Sequence, residues 1–128
     1  MTIKQKLGVP VNFKKAKFPS NRKIIGRYSY LEPIKINRHA NDLFNNYSLD
    51  NTNTLWTYMP YGPFKNFPSF KNYLNKKCLN KDPFFYAIYS KRFKSFCGLA
   101  SYLRIKPEIG TIEVGWITYA PNLQKTVE

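Results

Sequence analysis

Phe84-Phe85-Tyr86-Ala87-Ile88-Tyr89 is followed by the polar stretch Ser90-Lys91-Arg92-Phe93-Lys94-Ser95, by residues 96–105, by Lys106-Pro107-Glu108-Ile109-Gly110 and by residues 111–119. This succession decides the fold. Three runs rich in aromatic and β-branched residues are separated by two short turns, which reads as an antiparallel meander. Gly98 and Gly115 fall inside the second and third runs, where they predict a bulge or a close approach of another backbone.

Upstream of the meander the period changes. Pro68 sits well in the first turn of a helix, since its missing N–H is not needed there. Phe70, Tyr73, Leu74 and Cys78 form the apolar stripe of that helix, with Lys71, Lys76 and Lys77 off it, and it ends before Asp82-Pro83. Residues 55–64 cannot form regular helix, because Pro60 and Pro63 lack amide donors and Gly62 invites a reversal. So aromatic a loop either packs onto the domain or lines a pocket. An earlier helix is predicted over 38–47, with Asn37 as N-cap and Ala40, Leu43, Phe44 and Tyr47 at helical spacing. His39, in its first turn, is the sole histidine. With no second imidazole and no adjacent nucleophile, it reads as a packing or surface residue. Residues 24–31 read as a first strand stopped at Glu32-Pro33. The order is strand, helix, helix, three strands, an α+β domain.

The 128 residues suit one domain, and 43% hydrophobic with 17% aromatic residues suffices for a real core. No run approaches the ~20 apolar residues that span a bilayer, so no membrane partner is expected. The start, Met1-Thr2-Ile3-Lys4-Gln5-Lys6, is not a secretory signal, which makes the cytoplasm the expected location and Cys78 and Cys97 reduced thiols. The net charge is +14, yet residues 1–27 hold eight basic residues and no acid. Residues 1–23 therefore read as a basic, loosely ordered arm preceding a domain over 24–128. The 16 Lys against 5 Arg argue against base-reading recognition, which favours the Arg fork. Binding to nucleic acid or an anionic surface through the arm is kept as the alternative function.

An ordered set of local words carries a more specific signal. Gly26-Arg27, Leu31-Glu32-Pro33, Arg38-His39-Ala40 and Asp42-Leu43-Phe44 come first. Leu55-Trp56-Thr57-Tyr58, Tyr61-Gly62-Pro63-Phe64 and Asp82-Pro83-Phe84-Phe85-Tyr86-Ala87-Ile88 follow. The set closes with residues 98–105, Ile112-Glu113-Val114-Gly115 and Leu123-Gln124-Lys125-Thr126. As a set these resemble the first half of a GNAT-superfamily N-acetyltransferase, with a closer likeness to the ribosomal-protein-alanine-acetyltransferase-like group.

The resemblance implies a three-layer acyl-CoA N-acyltransferase fold and an enzyme that moves an acetyl group from acetyl-CoA to an amine, with no metal. The acceptor would be a small molecule or a protein N-terminus. It implies that Ile117, Thr118 and Tyr119 form the strand end that pairs with the acyl-pantetheine arm, and that Gln124 and Thr126 open the pyrophosphate turn. Glu113, the sole acid in the last strand, becomes the candidate proton acceptor through water. Trp56, Tyr58, Tyr61 and Tyr102 become candidate walls of the acceptor pocket. The family's further βα units would take on the order of 60 residues beyond Glu128. The expectation is therefore an N-terminal part of the domain, with little or no activity alone and an exposed strand edge prone to self-association.

Overall fold

In the computed structural model, which describes residues 3–128, the chain runs β1 (Ile24–Ile25), β2 (Ser29–Pro33), α1 (Ile36–Tyr47), a single 3-10 turn (Thr54–Trp56), α2 (Phe67–Lys77), β3 (Phe84–Ser90), β4 (Ser95–Lys106) and β5 (Thr111–Tyr119). All five strands form one antiparallel sheet in chain order, β1-β2-β3-β4-β5. This is the α+β architecture read from the sequence. The meander has its expected bounds at β5, and β3 and β4 run slightly past theirs.

The single strand expected over 24–31 is instead a hairpin. The Gly26 N–H donates to the Ser29 carbonyl at 2.8 Å, which closes a turn through Arg27 and Tyr28. The strand then resumes and runs to Pro33, opposite Tyr86, so the proline stands at the strand's last position, where a missing donor costs least. The helix α1 also starts earlier than expected. Lys35 occupies the N-cap position, no side chain caps the helix, and Asn37 lies within the first turn.

The place of the cap is taken by His39. Its ring is fully buried; Nδ1 accepts from the Lys35 N–H at 2.9 Å, and Nε2 lies 3.0 Å from Glu32 Oε2. With Nδ1 accepting, Nε2 must be the protonated nitrogen, so a neutral imidazole satisfies both contacts. Burial holds its pKa below the ordinary value. Of the two readings, packing is the observed one. Glu32 also takes the Arg38 fork, with Nε at 2.6 Å and Nη2 at 3.0 Å, and Lys23 Nζ at 3.4 Å. Chiefly through the Arg38 hydrogen bonds, its carboxyl is held down to about 2.

A depressed carboxyl pKa stabilises the fold above the ordinary value of 4.5, and that stability is lost as pH falls towards about 2. Glu32→Gln is therefore expected to cost about 1 kcal/mol at neutral pH, because Arg38 and Lys23 stand about half in solvent, which screens both pairs. It should also flatten acid unfolding between about pH 5 and pH 2. Urea titrations at stepped pH check this; wild type and variant profiles that stay parallel through that window would contradict it.

Both helices cover the sheet face that carries Phe85, Ala87 and Leu99. The face of α1 that packs there is His39, Ala40, Leu43 and Tyr47. From α2 it is Phe70, Tyr73 and Leu74, as the stripe predicts. Asn66 caps α2, its side chain accepting from the Ser69 N–H at 2.9 Å within a capping box. The other face presents Phe84, Tyr86 and Tyr102 in edge-to-face contact. The segment before β1 has no helix or strand among its described residues, but it is anchored here. The Tyr86 hydroxyl donates to the Ser20 carbonyl at 3.2 Å, and the Ala16 N–H to the Pro107 carbonyl at 2.9 Å. Cys78 and Cys97 are buried free thiols. Burial pushes them up to about 12 and about 11, so neither is a nucleophile at neutral pH.

Candidate active site

The site is built where β5 meets β4. Leu99 pairs with Thr118 and Ser101 with Gly115, so two steps along β4 correspond to three along β5. The extra residue is a bulge, and Trp116 occupies it with a left-handed φ of 49°. Glycine at 98 and 115 is explained by the same feature. A Cβ on Gly98 would lie 2.8 Å from the Thr118 carbonyl oxygen, and one on Gly115 would lie 2.9 Å from Leu103 Cδ2. The bulge and close approach predicted from these two glycines are both present.

Beyond the bulge, the direction of each peptide group can be read. The Thr118 carbonyl points at β4, as its approach to Gly98 requires, and the Ala120 N–H donates to the Cys97 carbonyl at 2.8 Å. Successive peptide groups in a strand alternate sides, so Ile117 and Tyr119 turn theirs away from β4. Among the described residues, no strand pairs with that side of β5. Of the three residues expected to form the pairing strand end, Ile117 and Tyr119 therefore offer the open edge. Thr118 does something else: its side chain is buried, with Oγ1 2.6 Å from the Tyr47 hydroxyl, and it ties β5 to α1. Burial drives that phenol well above its ordinary pKa, so it stays protonated.

After β5 the chain turns at once. The Ala120 carbonyl accepts from the Leu123 and Gln124 amides at 2.9 and 3.2 Å. Gln124 Nε2 donates back to the Tyr119 carbonyl at 3.0 Å, and Thr126 Oγ1 donates to the Leu123 carbonyl at 2.6 Å. Gln124 and Thr126 thus stand in a turn directly after the open edge, and their side chains shape it. Glu113 is exposed, and Arg104 Nη1 donates to its Oε2 at 3.0 Å.

The aromatic candidates do not form one wall. Trp56 is buried beneath the loop, edge-on to Phe64 at 5.2 Å and 6.2 Å from Tyr61. Tyr61 and Trp116 share a cavity of about 410 Å³ with Tyr73 and Phe85. Tyr58 is 97% exposed and walls nothing. Tyr102 lies on the opposite face of the sheet, against Tyr86; one step along a strand reverses the side chain, and position 102 is one step from the inward-facing Ser101. The sequence reading missed Trp116 and Phe85. Trp116 had a signal, a bulky aromatic directly after the glycine that predicts the bulge.

Neither a family model nor a curated protein matches the chain. Solved structures do. A GCN5-related N-acetyltransferase from Brucella melitensis matches with a TM-score of 0.83 at 28% identity, over 88% of this chain and 51% of that one. A probable GNAT-family acetyltransferase from Chromobacterium violaceum matches at 0.82 and 24% identity, over 98% and 63%. A GNAT-family acetyltransferase from Bacillus anthracis matches at 0.61 and 16% identity, over 82% and 57%. The chain thus spans between about half and less than two thirds of the solved proteins it matches. The fold of this chain is that of the GNAT N-acetyltransferases.

Proposed function

We propose that this chain forms the acyl-CoA-gripping part of an acetyl-CoA-dependent N-acetyltransferase, of the ribosomal-protein-alanine-acetyltransferase-like kind, working in the cytoplasm. The observation that carries this reading is the open edge of β5 beside a bulge and a cavity. Acetyl-CoA is the substrate that supplies the thioester. An amine nitrogen attacks its carbonyl carbon, the C–N bond forms, the C–S bond breaks, and the thiolate leaves and takes up a proton as the nitrogen loses one. In this reading the Ile117 and Tyr119 peptide groups align the pantetheine arm as an added strand would. Gln124 and Thr126 shape the turn that receives the pyrophosphate. Glu113 collects the amine proton through water. The acceptor is a small-molecule amine or a protein N-terminus.

Residues 24–128 act in this reading as the N-terminal part of the acetyltransferase domain. These residues are therefore expected to hold acetyl-CoA weakly and to turn it over slowly or not at all by themselves. Calorimetric titration with acetyl-CoA and a thiol-release assay over a panel of amines check both halves. Saturable one-to-one heat with little thiol release is expected. The absence of heat at millimolar acetyl-CoA would contradict the binding half, and rapid turnover would contradict the low-activity half.

A further inference from the structure

We propose that the cavity beside the bulge selects, as acceptor, a primary amine carried on a ring-sized apolar body that also bears a carboxylate, and that it rejects polycationic amines. The inference rests on the acetyltransferase reading above and adds the acceptor's chemical class. A volume of about 410 Å³ suits a ligand with one ring rather than a folded protein surface. Three of its walls are aromatic and close together: Tyr61 and Tyr73 have ring centroids 4.3 Å apart, and Tyr61 and Trp116 5.9 Å. Such walls favour a flat apolar body. Trp116 belongs both to this cavity and to the bulge before the open edge, so a ligand against its ring lies next to the segment assigned to the thioester.

Polar groups decide the rest. None of the described lining residues is acidic, whereas Lys77 and Asn80 stand among them. Lys77 makes no ion pair among the described residues. A second ammonium on the ligand would be desolvated here without a counter-charge and beside Lys77, on a chain of net charge +14. A carboxylate would instead find Lys77 as its partner.

The test uses the full chain, with and without acetyl-CoA, and three probes read by calorimetry: 4-(2-aminoethyl)benzoate, 2-phenylethylamine and spermidine. The benzoate is expected to bind at least tenfold tighter than spermidine and about threefold tighter than phenylethylamine, the modest gain an exposed ion pair gives. Trp116→Ala should weaken the two ring-bearing probes by about tenfold. Lys77→Met, at an exposed position, should remove the preference for the carboxylate-bearing probe over phenylethylamine. Spermidine binding as tightly as the benzoate, or a preference that survives Lys77→Met, would overturn the inference. Acetyl-CoA binding with no probe binding would overturn the acceptor class and leave the transferase reading standing. Probe binding with no acetyl-CoA binding would overturn the transferase reading and leave the cavity's selectivity.

Discussion

Replacing Phe70 with alanine is expected to cost about 3–5 kcal/mol of stability. The ring is 1% exposed and sits at the centre of an aromatic cluster. Its centroid lies 5.7 Å from Phe44, 5.8 Å from Tyr47, 5.3 Å from Phe64 and 6.3 Å from Tyr73. Removing it leaves a void that rigid neighbouring rings cannot collapse into, so lost burial and lost contacts add. Small domains are stable by only about 5–15 kcal/mol, so the loss is a large share of the whole. Phe70→Leu keeps most of the volume and should cost less than about half as much. Urea unfolding of the three proteins checks the order. A loss below about 1 kcal/mol for Phe70→Ala would show that this ring does not pin α1, α2 and the 55–64 loop together.

Tyr119→Pro is expected to weaken acetyl-CoA binding by about tenfold or more relative to Tyr119→Ala, with a much smaller change in the unfolding midpoint. Proline deletes one backbone donor and little else that matters at an open strand edge. A single hydrogen bond of this kind is worth about 1–1.5 kcal/mol net, which is the tenfold. The alanine variant accounts for the lost ring, which is partly exposed. Thr118→Pro is the contrasting control, because the peptide group at 118 faces β4 and the side chain holds Tyr47 at 2.6 Å. That variant should lose stability first. Equal acetyl-CoA affinity in Tyr119→Pro and Tyr119→Ala would show that the Tyr119 amide takes no part in binding.

Much of the scaffold was legible because its signals are local. The α2 stripe of Phe70, Tyr73, Leu74 and Cys78, and the two short turns of the meander, are patterns of period 3.6 and 2 that the chain obeys. Two glycines announced the bulge, because a glycine inside an apolar strand pattern implies a neighbour too close for a side chain. The hairpin at Gly26 was hidden, since Arg27 and Tyr28 carry no turn chemistry and a two-residue strand has no period to detect. The start of α1 was misplaced for a related reason. Asn37 is a good cap by type, but the buried His39 and the Glu32 carboxylate supply the partners at that end, and that pairing depends on how the end of β2 is set against α1 rather than on the residue type at the cap. The site shows the same division. The position of the open edge followed from the strand order. The faces did not: Tyr58 points to solvent and Tyr102 to the far side of the sheet, while Trp116 entered the cavity only because the bulge turned it there.

The central claim is that the open edge of β5 and the turn after it receive the acyl-pantetheine arm. Amide-resolved NMR during an acetyl-CoA titration tests it most directly. Saturable shifts concentrated at Gly115, Ile117, Tyr119 and the Gln124–Thr126 turn are the expected result. Shifts confined to the surface around Lys23, Glu32 and Arg38, or none at millimolar acetyl-CoA, would contradict it.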